Sequence, residues 1–288
     1  MTEYTYIGSG KLDTTDKIHA CLKNIKHIAL DMDGTIYNGS TLFPFTIPFL
    51  NNLKERGIGY SFLTNNPSKS TTDYLSHLSK MGISATKEEM YTSAQATIEY
   101  IKVNMPQAKR LFFLGTPSMI SEFEAAGFVS TTDDEHDIPD AVVVAFDMSL
   151  TYSRLCRAAW WVSQQIPYIA TNPDRVCPTD KKIILVDCGA IYTCIEHATG
   201  RMPDIVIGKP NPGMLDGILE RYKLQPSEVL MVGDRIYTDV KMAQNAGAIG
   251  VLVLSGETTM DIVREADTVP DIIASDLAAL EKMLEASL

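Results

Sequence analysis

Asp31-Met32-Asp33-Gly34-Thr35 follows directly on the apolar run His27-Ile28-Ala29-Leu30, and these two stretches decide the fold. The apolar run predicts a buried parallel strand, which brings its last residues to the carboxyl edge of a sheet, where open α/β folds place their ligands. Two carboxylates one residue apart repel each other, so a bound cation is the natural way to keep both ionised. The spacing excludes an EF-hand calcium loop, because glycine stands at the fourth position and not at the sixth. The remaining alternative is an acidic strand end that binds nothing.

Composition limits the class of protein. The 288 residues suffice for two domains or one large one. The sequence shows no secretory signal and no apolar run long enough to span a bilayer, which predicts a soluble protein without a membrane partner. Five cysteines without a C-x-x-C pair favour reduced thiols and a cytoplasmic location. The 36 acidic and 25 basic residues give a net charge of −11, which argues against a nucleic-acid partner.

Strand-like and helical segments alternate along the chain. Short apolar runs at 58–63, 205–207, 229–232 and 249–253 end in polar or glycine residues and are separated by helical stretches. This alternation predicts an α/β fold with a Rossmann-like, doubly wound parallel sheet.

A second βα series lies inside the first. Its strand-like segments, none of which ends in a carboxylate pair, are Arg110 to Leu114, Ala141 to Ala145, Pro167 to Ala170 and Lys182 to Val186. We therefore expect a catalytic core of residues 25–92 and 189–288 that is interrupted by an α/β cap of residues 93–188. Residues 1–24 form an N-terminal extension, with a helix expected from Thr15 to Lys23.

Three further segment ends carry polar side chains. Thr64 and Asn65 offer a hydroxyl, an amide and backbone N–H groups, Lys209 stands between a glycine and a proline, and Asp234 precedes Asp239 by five residues. Each has an ordinary explanation, namely an Asx-type turn, a surface lysine and a helix N-cap. If all of them meet at one sheet edge, they form a pocket for a metal and an anion.

In that pocket, Asp31, Asp33 and Asp234 would supply hard oxygen ligands for magnesium, and Thr64 and Lys209 would supply donors to a phosphoryl group. The combination indicates phosphoryl transfer.

At this point the chain resembles the haloacid dehalogenase superfamily. The four motifs of that superfamily occur here in order as DMDGT, TNN, the lysine of GKPNPG, and GDRIYTD, between about Lys26 and Leu280. The insertion, together with the stretches at 91–94, 170–174 and 188–190, is similar to the branch of NagD-type and p-nitrophenyl phosphatases with a C2-type cap. The resemblance implies a mobile cap that closes over the site.

The resemblance also implies roles for individual residues. Asp31 would be the nucleophile that forms an aspartyl-phosphate, and Asp33 the acid that protonates the leaving oxygen and then activates water. Mg²⁺ would be the cofactor, bound by the Asp31 side chain, the Asp33 carbonyl and Asp234, while Asp239 acts outside these ligands. The phosphoryl oxygens would be held by Thr64, the backbone at Asn65, and Lys209.

The presence of Asp33 favours phosphate esters as substrates, since members that cleave carbon–phosphorus or carbon–halogen bonds lack this acid. A phosphomutase, or a phospho-acceptor signalling domain without turnover, remains an alternative. Asn172, Asp174 and Arg175 form a candidate selectivity loop in the cap, although they could simply make a turn. We expect a small phosphorylated metabolite, with sugar phosphates, nucleotides, phosphoglycolate and pyridoxal phosphate all open. Homo-oligomerisation through the cap also stays open.

Overall fold

A computed structural model describes Leu12, residues 14–179 and residues 182–287. The described residues form two compact units. The first unit comprises the chain up to Leu63, Leu78–Met90, and the chain from Lys209 onward. The second unit comprises Thr64–His77 and Tyr91–Gly208.

The strands are β1 (His27–Asp31), β2 (Tyr37–Asn38), β3 (Thr41–Leu42), β4 (Gly59–Thr64), β5 (Met90–Thr92), β6 (Arg110–Leu114), β7 (Val129–Ser130), β8 (Ala141–Val144), β9 (Tyr168–Ala170), β10 (Val176–Cys177), β11 (Leu185–Val186), β12 (Ile205–Val206), β13 (Val229–Gly233), β14 (Ile249–Val253) and β15 (Ile272–Ala274). The α-helices are α1 (Thr15–Leu22), α2 (Thr46–Glu55), α3 (Thr71–Lys80), α4 (Ser93–Asn104), α5 (Pro117–Ala125), α6 (Tyr152–Ser163), α7 (Cys188–Thr199), α8 (Gly213–Tyr222), α9 (Lys241–Ala246), α10 (Met260–Glu265) and α11 (Leu277–Ala286). A 3₁₀ turn covers Pro226–Glu228, and a π-helical segment covers Ile236–Val240.

The first unit is built on a sheet with strand order β15-β14-β13-β1-β4-β5. Strand β1 pairs in parallel with β13 on one side and with β4 on the other, and β13, β14 and β15 continue the parallel pairing. Every residue of β1 and β13 is buried, as expected for central parallel strands covered on both faces. The predicted α/β fold with a doubly wound parallel sheet is confirmed.

The second unit contains its own parallel sheet, of order β12-β9-β8-β6-β7, and an antiparallel hairpin of β10 and β11. Its core buries Phe112, Val142, Trp161, Tyr168 and Ile191 from the sheet and from helices α6 and α7. Helix α7 begins at the N-cap Asp187 and ends at Gly200, which adopts a positive φ of 72°.

The predicted boundaries differ from this division at residues 64–77, 91–92 and 189–208, which lie in the second unit. Ser68 belongs there because its carbonyl accepts a 2.6 Å hydrogen bond from Thr116 Oγ1. Helix α7 belongs there because it packs into the core of that unit, and β12 because it pairs with β9. The run at 205–207 was therefore wrongly predicted as a strand of the core sheet.

Two smaller expectations have different outcomes. The predicted strand from Lys182 to Val186 is limited to Leu185–Val186, which pairs in an antiparallel hairpin and does not extend the parallel series. The helix expected from Thr15 to Lys23 is confirmed by α1. Most of the extension before it, residues 1–11 and 13, lies outside the described residues. Within the described part of the chain, every helix is too short or too polar to cross a lipid bilayer.

Candidate active site

Three carboxylates of the first unit converge at the carboxyl ends of β1 and β13. Asp31 is the last residue of β1 and Asp234 directly follows β13, and the two strands run in parallel with Leu30 opposite Val232. Asp31, Asp234 and Asp239 each offer a carboxylate oxygen, and these oxygens all lie within 4.8 Å of one another. All three residues are buried.

Lys209 is the cation of this cluster and is itself only 3% exposed. Its Nζ donates a 2.6 Å hydrogen bond to Asp239 Oδ1 and a further short one to Asp31 Oδ1. Burial alone would lower the pKa of Lys209, but the neighbouring charges of Asp239 and Asp31 outweigh it and raise the pKa above its usual value. The lysine therefore stays charged.

One lysine does not neutralise three carboxylates. Burial is the main cause that raises the pKa of Asp31 to about 8, with Asp239 and Asp234 adding to the rise and Lys209 opposing it. Burial, followed by the charge of Asp239, raises the pKa of Asp234 to about 6. The cluster thus favours a further positive charge, either a proton or a bound cation.

Asp234 is oriented by the loop that follows β14. Its Oδ2 accepts a 2.6 Å hydrogen bond from the backbone N–H of Glu257, whose carboxylate forms a 2.9 Å ion pair with Nε of Arg235. Among the described residues, Oδ1 of Asp234 is buried without a hydrogen-bond partner. A buried carboxylate oxygen without a donor, beside two other carboxylates, is what a hard divalent cation such as Mg²⁺ requires of its ligands.

Glycines make room for Asp234. A Cβ on Gly256 would lie 2.0 Å from Asp234 Oδ2, and one on Gly34 would lie 2.4 Å from the same atom. Gly34 also has a φ of +84°, which side-chain-bearing residues rarely adopt. Ser255 Oγ joins the two loops by donating to the Gly34 carbonyl at 2.7 Å. These positions therefore require glycine for steric reasons.

Asp33 and Asp239 occupy different surroundings. Asp33 is half-buried, and its Oδ1 accepts a 3.3 Å hydrogen bond from the Gly39 N–H. Asp33 is not among the three clustered carboxylates, in which Asp239 takes part instead. Both oxygens of Asp239 are engaged, Oδ1 by Lys209 and Oδ2 by the Arg235 N–H at 3.1 Å. That engagement leaves Asp234, and not Asp239, with an oxygen open to a new ligand.

Thr64 and Asn65 lie in the second unit, at the point where the chain enters it, and both are buried. Thr64 Oγ1 accepts a 3.1 Å hydrogen bond from the Asn66 N–H, which leaves the hydroxyl proton available for donation. The carbonyl of Asn65 accepts a 2.6 Å hydrogen bond from Ser93 Oγ. The loop therefore has a fixed backbone.

The candidate selectivity residues also lie in the second unit, but in three different environments. Asn172 is fully buried, and its Nδ2 donates to Asp187 Oδ1 at 3.1 Å. Asp174 is half-buried, and its Oδ2 accepts a 3.1 Å hydrogen bond from Asn65 Nδ2. Arg175 is exposed. Of the three, Asn172 has no exposed surface with which to contact a substrate.

The sequence reasoning missed the loop Ser255–Glu257, which carries the donor to Asp234. The only signal was that the apolar run 249–253, extended by Leu254, is followed by a serine and a glycine. The donor is a backbone N–H, so no side chain could reveal it.

Two sequence profiles of haloacid dehalogenase-like hydrolases match the chain, one over residues 28–129 and the other over residues 206–280. The acid sugar phosphatase of Staphylococcus haemolyticus is 33% identical over 264 residues, which cover 92% of this chain and 98% of that protein.

Solved structures agree. The 4-nitrophenylphosphatase of Thermotoga maritima superposes with a TM-score of 0.86 at 40% identity, covering 91% of this chain and 98% of the other. NagD of Escherichia coli K-12 gives 0.79 at 30% identity, covering 88% and 97%. The glycerol phosphate phosphatase of Mycobacterium tuberculosis, solved in complex with magnesium, gives 0.83 at 29% identity, covering 91% and 78%. The chain therefore belongs to the haloacid dehalogenase-like hydrolases, in the branch of NagD and the p-nitrophenyl phosphatases.

Proposed function

We propose that the protein is a magnesium-dependent phosphatase that hydrolyses small phosphate monoesters through an aspartyl-phosphate on Asp31. The observation that carries the proposal is the buried cluster of Asp31, Asp234 and Asp239 around Lys209. Phosphoryl transfer needs a nucleophile and positive charge around the phosphoryl group. The cluster offers a nucleophilic carboxylate, a fixed ammonium group, and an excess of carboxylates that favours a bound cation.

The residues present fit Mg²⁺. Asp31, Asp234 and the carbonyl of Asp33 would hold the ion, and the support is the buried Asp234 Oδ1, which has no partner among the described residues. When bound, the ion offsets the charge of the carboxylates and of the phosphate dianion and so lets them share one site. Its occurrence in the magnesium complex of the mycobacterial relative supports the choice of metal.

Asp31 and Asp33 divide the chemistry. In the first half-reaction, an oxygen of Asp31 attacks phosphorus, the bond between phosphorus and the ester oxygen breaks, and Asp33 gives its proton to the leaving oxygen. In the second half-reaction, Asp33 takes a proton from water, the resulting hydroxide attacks phosphorus, and Asp31 is released together with inorganic phosphate. Lys209 orients Asp31 and donates to a phosphoryl oxygen. Thr64 and the backbone N–H of Asn65 are the further proposed donors to the phosphoryl group.

The substrate class is inferred from the relatives. An acid sugar phosphatase and a glycerol phosphate phosphatase are named for polyhydroxylated compounds, so we infer a phosphorylated sugar or polyol as substrate. Arg175 is an exposed residue, and we assign its guanidinium to a second anionic group of such a substrate. The five cysteines, all in the described part of the chain, are free of disulfides, which supports a reducing, cytoplasmic location.

The test is release of inorganic phosphate from p-nitrophenyl phosphate and from a panel of sugar, polyol and nucleotide phosphates in the presence of Mg²⁺. We expect multiple turnovers, and loss of turnover in Asp31→Asn. The control is Asp261→Asn, whose side chain is 84% exposed and distant in sequence from the motifs. A stable phosphoprotein without turnover would favour the signalling alternative, and transfer of the phosphoryl group to a second position of a sugar would favour a phosphomutase.

A further inference from the structure

The side chain of Asn65 is held by a cap-loop carboxylate of the same compact unit. Asn65 Nδ2 donates a 3.1 Å hydrogen bond to Asp174 Oδ2, although the two residues are 109 positions apart. Asn65 is 6% exposed, so water cannot readily replace this acceptor. Asn65 is also the residue whose backbone the proposed function assigns to the phosphoryl group.

The backbone of Asp174 is held by helix α7, and its Oδ2 also accepts a long, 3.5 Å hydrogen bond from Asn172 Nδ2. The carbonyl of Asp174 accepts a 2.7 Å hydrogen bond from the Gly189 N–H, at the start of α7. A Cβ on Gly189 would lie 2.2 Å from the Pro173 carbonyl oxygen, so the loop packs directly on the helix backbone. The nearby Asn172 amide is bound to Asp187, the N-cap of the same helix. Asp174 is therefore fixed relative to α7.

The other side of the Asn65 amide is equally confined. A Cβ on Gly208 would lie 2.7 Å from Asn65 Oδ1 and 2.8 Å from the Asn172 Cβ. The Asn65 carbonyl is held by Ser93 Oγ. Its side chain and its carbonyl thus each have a fixed partner, and these two contacts restrict the residue that bears the N–H.

We propose that Asp174 is a positioning residue for the phosphate-binding loop, which consists of Thr64 and Asn65. It acts through the side-chain amide of Asn65 and not by contact with the leaving group. The proposal rests on the proposed function. It makes phosphate affinity, and not the choice of leaving group, the property that Asp174 controls. The carboxylate is the acceptor that keeps the backbone of Asn65 aimed at the phosphoryl oxygens.

The first test is Asp174→Ala, which removes the acceptor. We expect KM for every phosphate ester, including p-nitrophenyl phosphate, to rise by a common factor of about 10, the equivalent of one hydrogen bond to a charged group, with kcat nearly unchanged. The dissociation constant of inorganic phosphate, measured by calorimetry with Mg²⁺ present, should rise by the same factor. Asp174→Asn keeps an acceptor oxygen and should restore most of the affinity, and it also serves if the alanine variant does not fold.

The second test is a double-mutant cycle with Asn65→Ala. Once the Asn65 amide is absent, Asp174→Ala should have little further effect on phosphate affinity, because the two side chains act through one bond. The matched control is Asp134→Ala, an exposed aspartate of the same unit that accepts a 2.8 Å hydrogen bond from the His136 N–H. It should leave KM and phosphate affinity unchanged.

Two results would overturn the inference. One is unchanged phosphate affinity in Asp174→Ala with a changed ranking of substrates, which would make Asp174 a contact to the leaving group. The other is full additivity in the cycle. If the wild-type protein turns over no phosphate ester at all, the proposed function fails instead, so the two failures are distinguishable.

Discussion

Nζ of Lys209 donates a hydrogen bond of 2.6 Å to Oδ1 of Asp239, and the same ammonium group donates to Asp31. One buried cation therefore links the proposed nucleophile Asp31, at the end of β1, to Asp239, in the π-helical segment after β13, and it binds both carboxylates. Because a buried ion pair that loses one partner leaves an uncompensated charge, Lys209 should matter for stability as well as for catalysis.

Lys209→Met should lower kcat by about 10²–10³-fold, the usual effect of removing one preorganised donor from a phosphoryl or oxyanion site. It should also destabilise the fold by about 3–5 kcal/mol, since Asp31 and Asp239 lose their shared counter-charge. Urea unfolding and steady-state kinetics measure the two effects. Lys80→Met, at an exposed position of α3, is the matched control and should change neither.

Removal of metal should abolish turnover, because the carboxylate cluster and a phosphate dianion repel each other without a cation. We expect dialysis against EDTA to remove activity and Mg²⁺ to restore it. Ca²⁺ should inhibit, since its larger and looser coordination shell would misplace the nucleophile relative to phosphorus. Full activity in excess EDTA would argue against a metal at Asp31 and Asp234.

Substrates with different leaving groups should distinguish the catalytic roles of Asp31 and Asp33, the two acids of the DMDGT motif. Asp33→Asn should slow hydrolysis of alkyl phosphates by about 10²–10⁴-fold, because the leaving oxygen needs a proton. Single-turnover phosphorylation by p-nitrophenyl phosphate should be less affected, since p-nitrophenolate leaves without one. Asp31→Asn should be inactive with both. Equal Asp33→Asn defects for both leaving groups would contradict the acid role of Asp33.

Gly256→Ala should weaken Mg²⁺ binding, although the substitution replaces none of the carboxylate residues. The new Cβ would lie 2.0 Å from Asp234 Oδ2, so that side chain would have to move. The measurement is the rise in Tm of the substrate-free protein on titration with Mg²⁺, which we expect to be smaller or absent in the variant. A normal Mg²⁺ response would show that Asp234 tolerates the shift or does not bind the ion.

The sequence was most informative where the type of side chain itself indicates the chemistry of the site. The acid pair at the end of β1 and Asp234 after β13 could be predicted because a buried apolar run fixes each strand, and parallel neighbours end at the same edge. That reasoning failed for the run before Lys209. Strand β12 joins the sheet of the second unit, where Ile205 lies opposite Ile169, and apolar residues alone do not specify a partner strand.

Contacts made by backbone groups could not be predicted from the sequence. The Glu257 N–H that orients Asp234, and the packing of Gly189 on the loop at Pro173, leave no side-chain pattern. The bond between Asn65 and Asp174 joins residues 109 positions apart, so no local rule could pair them. Asn172 and Asp174 could be selected as polar residues near a strand end, but their burial and partners depend on tertiary packing.

Acid should destabilise the protein in part through His27, a residue outside the carboxylate cluster. His27 is 2% exposed, its Nε2 lies 2.9 Å from Ser61 Oγ, and its ring lies against that of Tyr222 with centroids 4.4 Å apart. Burial lowers the pKa of His27 to about 4, from an ordinary value of 6.5. Between these two values the unfolded chain binds a proton that the folded protein does not, so stability falls as pH decreases through this window.

The loss attributable to His27 should reach about 3 kcal/mol at pH 4 and vanish above pH 7. It is measured as the difference in pH dependence of urea-unfolding free energy between wild type and His27→Gln, in which contributions from all other groups cancel. The variant should lose less stability than wild type from pH 7 to pH 4. His136→Gln, at an exposed histidine, should follow the wild-type curve. Parallel curves for wild type and His27→Gln would mean that His27 takes up its proton in the folded protein as readily as in the unfolded chain.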